Sequence, residues 1–283
     1  MIRFTVALLW ALCIPTLGAA QHPATPSNTV AISVLDVGQG DAVLVQLPGK
    51  FTILYDGGDI GTDLSPELER RHVESIDLVI ASHNHADHIG GLESVIREVP
   101  FRYYMDSGIP HTTQVYQRVL EAVAASGALL LEPEQRSITA GDATIHVLPP
   151  MYDPEVGLNN NSVGIRVEYG DLSLFLGGDA EREQWDYWIE SYPELLEPVT
   201  VHKASHHGSR NGDTEMGIRM LSPAIVVIGV GQDNPYGHPH PEAMNLYYDA
   251  GSRIFTTAEH GAITILGDGD GRTSVYHERG AVR

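Results

Sequence analysis

The stretch Asp77-Leu-Val-Ile-Ala-Ser-His-Asn-His-Ala-Asp-His88 decides how this chain is read. Its first half is an apolar run of strand character, and its second half sets His83, His85, Asp87 and His88 directly behind the strand end. As surface groups these imidazoles would gain nothing from one another, and on protonation they would repel. Imidazole nitrogens and carboxylate oxygens are the donor set of Zn, Mn and Fe sites. The junction of a strand with a loop is also where α/β folds present chemistry.

The 283-residue chain is 42% hydrophobic, which indicates a globular protein of one large domain or two small ones. Met1-Ile-Arg3, the apolar run from Phe4 to Leu17 and the small residues Gly18-Ala-Ala20 predict a signal peptide over residues 1–20. The apolar run falls short of the about 20 residues that a membrane span needs, so the expectation is export, to a periplasmic or extracellular location, with no span in the mature chain. Residues 21–29 read as a loose mature N-terminus and residues 30–283 as the working domain. Cys13, the single cysteine, lies in the leader, so any metal must be held by N and O donors. The formal net charge is −20 and Lys50 and Lys203 are the only lysines. Such a surface repels polyphosphates at long range and argues against general coating of nucleic acid. A polyanionic substrate would need locally positive ground, such as bound metal ions and a few arginines.

Strands are expected at 30–37, 42–47, 51–55, 77–81, 144–148, 162–169, 172–176, 199–204, 224–228, 253–257, 262–266 and 273–277. Helical periodicity marks 91–99, 113–126, 180–191, 214–221 and 241–250. This order predicts an α/β fold of two packed sheets flanked by helices, in a single domain with weak twofold character. Further candidate ligands recur at strand ends. Leu172 to Leu176 closes on Gly177-Gly178-Asp179, and the run from Val199 to Ala204 leads into Ser205-His206-His207-Gly208-Ser209. Tyr236-Gly-His238-Pro-His240 adds two imidazoles in a proline-set turn. Trp185, Tyr187 and Trp188 read as core or groove wall, Arg70 and Arg71 as a solvated charged stretch, and His202 as a packed histidine. Asp36 and Asp41 read as loop-fixing residues.

The ordered set His-x-His-x-Asp-His, Gly-Gly-Asp and His-His-Gly-Ser resembles the metallo-β-lactamase superfamily. Leu35-Asp-Val-Gly-Gln-Gly-Asp-Ala42, Leu54-Tyr-Asp-Gly-Gly58, Asn159-Asn-Asn-Ser162, Tyr236-Gly-His-Pro-His240 and Gly261-Ala-Ile-Thr264 narrow it to the ComEC-like branch, that of the hydrolase domain of the DNA-uptake competence protein. The resemblance covers residues 30 to 278. It implies a four-layer αββα sandwich with two divalent metal ions, Zn or Mn, at one edge. His83 and His85 would hold the first metal, and Asp87 and His88 the second. Asp179 would bridge them, and His206 or His207 would complete the second site, with His207 preferred. Many members supply a further histidine to the first metal; here His111 and His146 are the only candidates, neither in a matching context. Asn161 and Ser162 would border that gap.

Two metals about 3.5–4 Å apart share a hydroxide of near-neutral pKa and hold both ends of a displacement. Asp87 is then the acceptor of the nucleophile's proton or an anchor for the second metal, and His238 or His240 a donor to the phosphoryl group. Asp56, before two glycines, reads as the support of a histidine ligand. The expected activity is hydrolysis of a phosphodiester, with DNA among the candidate substrates and no obligate protein partner indicated. The alternatives are a lactonase or β-lactamase-type hydrolase of a cyclic ester or amide, and a non-catalytic metal-holding domain.

Overall fold

The structure, a computed structural model, describes residues 28–279. The predicted signal peptide at 1–20 and nearly all of the 21–29 segment lie outside the described residues. The chain first lays down β1 (Thr29–Val34), β2 (Val43–Gln46), β3 (Thr52–Tyr55), β4 (Ile76–Ile80), β5 (Phe101–Met105) and β6 (Leu129–Leu130). Next come β7 (Arg136–Ala140), β8 (Ala143–Leu148), β9 (Gly164–Tyr169), β10 (Leu172–Leu176), β11 (Val201–Lys203), β12 (Ile225–Ile228) and β13 (Arg253–Thr256). The last two strands are β14 (Ile263–Asp268) and β15 (Thr273–His277). Among the described residues the first sheet has the order β15-β14-β1-β2-β3-β4-β5-β6 and the second β13-β12-β11-β10-β9-β8-β7. Each sheet passes from antiparallel pairing into a parallel run, β3 to β6 in one and β10 to β13 in the other.

Alternation along the strands sets the layers. Val30, Ile32, Val34, Val43, Val45, Ile53, Tyr55, Leu78 and Ile80 meet Ile145, Val147, Ile165, Val167, Leu174 and Leu176 between the sheets. The intervening residues Leu44, Leu54, Val79 and Ala81 face outward, onto Leu92, Val95 and Ile96 of the helix Leu92–Glu98 and Val115, Val119 and Val123 of the helix Gln114–Ser126. On the other side Phe175 packs on Trp185 and Trp188 of the helix Arg182–Ser191. Val226 and Ile228 pack on Ile218 and Tyr247, from the helices Glu215–Leu221 and Pro241–Asp249. The result is a four-layer αββα sandwich. The ends of the parallel strands β3, β4, β10, β11 and β12 open at one edge, where such sheets bind ligands.

The sequence-based boundaries shift where tertiary pairing decides them. The first strand stops at Val34 instead of 37, because residues 36–41 are needed for a turn over the site. β5, β6 and β7 lack a clean apolar pattern and form by pairing with β4, β5 and β8. Arg71 is not solvated: its side chain is buried and its Nη1 donates to the carbonyl and carboxylate oxygens of Glu67. Burial lowers its pKa to about 10.

Trp188 is fully buried, with its ring 5.9 Å from Phe175 and 5.7 Å from Trp185, centroid to centroid. A Cβ on Gly164 would come within 3.0 Å of it, so the ring fills its place tightly. Trp188→Ala is expected to lower unfolding stability by about 3–5 kcal/mol in urea titrations; a loss below about 1 kcal/mol would contradict this packing.

Candidate metal centre

The first sheet supplies one half of the centre. Asp56 follows β3 with φ 62°, a left-handed conformation that turns its carboxylate back over the strand end. Asp56 Oδ1 accepts from Ser82 N at 2.7 Å, and Oδ2 accepts from Ser82 Oγ at 2.8 Å and from His88 Nδ1 at 2.8 Å. A carboxylate can only accept, so His88 carries a proton on Nδ1 and turns Nε2 toward the centre. Ser82 Oγ, having donated to Asp56, accepts from His83 Nδ1 at 3.0 Å, which frees His83 Nε2 in the same way. That atom lies 2.9 Å from His85 Nδ1. The short helix Ala86–Ile89 begins at His85 and brings Asp87 and His88 onto the site side.

The second sheet supplies the other half. Gly178, at φ 57°, follows β10 so closely packed that a Cβ would sit 2.7 Å from Ser82 Cβ and 2.9 Å from Ser162 Oγ. Asp179 N donates to Ser162 Oγ at 3.2 Å, and its carboxylate enters the centre. Asp179 Oδ2 lies 3.2 Å from His88 Nε2, 3.5 Å from His207 Nε2, 3.9 Å from His206 Nε2 and 4.0 Å from His83 Nε2. His206 and His207 both sit at positive φ, 49° and 53°. This strained turn is held by the buried carboxylate of Asp213, which accepts from Ser205 N, His202 Nε2 and Tyr247 OH at 3.1, 2.9 and 2.6 Å. His207 Nδ1 donates to Gly229 O at 2.9 Å, leaving Nε2 to face Asp87 Oδ2 at 3.3 Å. His206 instead has Nδ1 3.0 Å from Glu181 Oε1.

Around Asp179, His83 Nε2 meets His85 Nδ1 at 2.9 Å and His207 Nε2 meets Asp87 Oδ2 at 3.3 Å, while the His88 ring lies 4.2 Å from that of His83 and 5.2 Å from that of His207. His88 Nε2, His207 Nε2 and Asp179 Oδ1 are buried without a hydrogen-bond partner, the condition a divalent cation would relieve. The residues present therefore fit metal ions. Asp41, His88, Asp179 and His207, all buried, each bring a donor atom within 4.8 Å of the others. Asp41, however, faces the rear of the rings, 3.4 Å from His207 Nδ1 and 3.9 Å from His88 Nδ1, and is ion-paired with the buried Lys203. It supports the histidines from behind.

Charge differs from ring to ring. Burial opposes charge on both His88 and His207, yet Asp179 with Asp56 and Asp87 raises His88 well above the usual imidazole range, and Asp179 with Asp41 raises His207 to about 9. Asp179, despite its burial, is held well below the carboxylate range by His88 and His207. Burial and then the His88 charge push His83 well down. Metal-free, the centre thus holds protons where cations would sit.

The other candidates fall at varied distances. His238 lines a cavity of about 290 Å³ over the centre together with Gln39, Asp87, Asn159 and Tyr236. Its ring lies 6.3 Å from that of His207 at 24°, and burial followed by His206 and His207 lowers its pKa to about 4. His240 stands behind it at 4.8 Å, with Nδ1 accepting from Arg210 N at 3.1 Å. Asn161 is used inside its own loop: Oδ1 accepts from Asp153 N, and Nδ2 donates to Asp153 O and Gly157 O. Asn159 reaches the cavity in its place. His146 pairs with Glu168 and Ser137 on the sheet, whereas the ring of His111 comes to 6.3 Å from His85. Sequence reasoning gives Asp41 a loop-fixing role, meets Gln39 and Asn159 only inside motifs, and assigns no site role to Lys203 or Glu181. A lysine inside an apolar strand run, one of two in the chain, was the available signal for Lys203.

Fold and donor cluster lead to one family: the chain belongs to the metallo-beta-lactamase superfamily, whose model matches residues 35–231. Three of its curated relatives are of the ComEC-like branch. ComE operon protein 3 of Bacillus subtilis is 27% identical over 84% of this chain and 33% of that protein, and competence protein ComA of Neisseria gonorrhoeae is 27% identical over 95% and 37%. The chain thus spans about a third of the length of these relatives. Among solved structures, CmlA, a diiron beta-hydroxylase from Streptomyces venezuelae, shares the fold with a TM-score of 0.55 at 17% identity, over 85% of this chain and 54% of that one. The fold family uses divalent metals, often two.

Asp56→Asn, which puts an N–H donor in place of one of the two oxygens that accept from Ser82 and His88, is expected to weaken metal affinity about 10–100-fold in chelator competition. An unchanged affinity would refute that role. Because His207 stays protonated in the metal-free protein up to about pH 9, metal must displace that proton. Apparent affinity should therefore rise between pH 7 and 9, with proton release on binding; a flat profile would contradict the assignment.

Proposed function

We propose that the protein is an exported hydrolase of phosphodiesters that works with two divalent metal ions, Zn or Mn. The observation that carries this reading is the position of Asp179 Oδ2, between the His83–His85 pair and the Asp87–His88–His207 group, beneath a cavity bordered by His238. His83 and His85 would hold one ion and Asp87, His88 and His207 the other, with Asp179 shared. Bound there, such ions supply Lewis-acid polarisation of a phosphoryl oxygen and a water made nucleophilic near neutral pH. Asp87, whose side chain is 29% exposed at the floor of the cavity, is placed to anchor an ion and to take up the water's proton. His238, neutral at pH 7 because of its lowered pKa, offers one N–H to a phosphoryl oxygen, and His240 backs its ring.

The substrate is a phosphodiester, with DNA the candidate that the resemblance to the ComEC-like branch suggests. A net charge of −20 favours short diesters over long polyanions at low salt. Among the described residues no helix is long and apolar enough to cross a membrane. Export rests on the predicted leader.

The test is cleavage of bis-p-nitrophenyl phosphate, linear DNA and nitrocefin by the purified chain, with Mn or Zn and with EDTA. Chelator-sensitive cleavage of the diester and not of nitrocefin is expected, together with its loss in Asp179→Ala. Turnover of nitrocefin alone would favour the cyclic amide reading, and no turnover of any of the three would favour a non-catalytic metal-holding domain.

A further inference from the structure

Within the turn 36–41, Asp41 is taken up behind the histidines, while Gln39 has no part in holding them. The turn is nonetheless built with care. Gly40 lies so close to Asp87 that a Cβ would fall 2.3 Å from its carbonyl oxygen, and Asp41 N donates to that same oxygen at 3.1 Å. On the other side a Cβ on Gly231 would stand 2.9 Å from Gln39 N. Gly231 N donates to Gln39 Oε1 at 3.3 Å. Only the oxygen of a carboxamide can receive an N–H, so this contact fixes which way the amide faces. Nε2 is what remains: buried, without a partner, on a residue that lines the cavity over Asp87, Asp179 and His207. Buried donors are rarely left unmade in a folded protein, and one beside a reaction centre marks the place of an acceptor.

We infer that Gln39 Nε2 donates a hydrogen bond to a non-bridging phosphoryl oxygen of the substrate, and so is a further catalytic residue. The inference rests on the phosphodiester reading above. Charge on those oxygens grows as the nucleophile adds, and a neutral donor held at both ends of its turn stabilises that charge without reorganising. The amide neither gives up nor takes a proton, so it acts by hydrogen bonding alone. A loop whose backbone rests on Asp87 and Gly231 also keeps the donor in register with the metal ligands.

Gln39→Glu tests this directly. It keeps the shape of the side chain and the oxygen that receives Gly231 N–H, but puts an acceptor where the donor was. Gln39→Leu removes both groups. For Gln39→Glu, kcat on bis-p-nitrophenyl phosphate is expected to fall about 10²-fold with a smaller change in KM, while bound metal and Tm stay as in the unmodified protein. Calorimetric binding of inorganic phosphate to the metal-loaded protein should weaken about tenfold in both variants. If Gln39→Glu keeps kcat and phosphate affinity within about threefold, or if its losses follow lost metal, the inference is overturned. Should the unmodified chain cleave no diester, the proposed function fails, and the phosphate arm still decides whether Gln39 meets a phosphoryl oxygen.

Discussion

A single buried carboxylate, that of Asp56, sets the direction of half the candidate metal centre. It accepts from His88 directly and, through the hydroxyl of Ser82, it governs the proton on His83. With a proton held on Nδ1 in both rings, both Nε2 atoms turn inward. Asp56 reaches this position only because the chain leaves β3 in a left-handed turn, with Gly57 and Gly58 following. Burial raises its own pKa against the pull of His88, so the hydrogen bonds it receives are also what keeps it in place.

The second requirement is that two sheets meet at one edge closely enough for Asp179 to sit among the histidines. Gly178 permits the approach to Ser82, and Asp213 holds the left-handed His206-His207 turn from below. Opposite charges at 3–4 Å in a low-dielectric interior interact strongly, and every change to one partner shifts the others. Lys203 and Asp41 add a balanced ion pair beneath the same group, so the rings of His88 and His207 are bounded by charge on both faces. The centre is thus prepared for cations by the carboxylates that surround it, in a protein whose acidic surface offers little else to an anionic substrate.

The candidate ligands were legible in the sequence because they stand just past strand ends, behind an apolar run and a small residue, a pattern that survives without any knowledge of packing. His83, His85, Asp87, His88, Asp179 and the pair His206 and His207 could be picked out in this way, without a choice between the last two, and the structure gathers His83, His88, His206 and His207 around the Asp179 carboxylate. Asp41 could not, and Lys203 showed only as a lysine inside an apolar run: their value comes from meeting each other across 162 residues of chain, and no local pattern names the partner. Gln39, Asn159 and Glu181 are ordinary polar residues until the fold points them at a common cavity. Arg71 was misread for the related reason that burial of a charge is decided by what covers it.

The sequence by itself determined the class of fold, since apolar periodicities of two and of about 3.6 residues dictate which faces must be buried. It also determined which donors stand at strand ends. The tertiary structure alone decided how those donors are shared out: that His207 faces Asp87 while His206 turns to Glu181, that Asn161 is spent on its own loop, and that the 36–41 turn lies over the centre. Those choices depend on hydrogen-bond partners far apart in the chain, and only close packing of the two sheets brings such partners within reach.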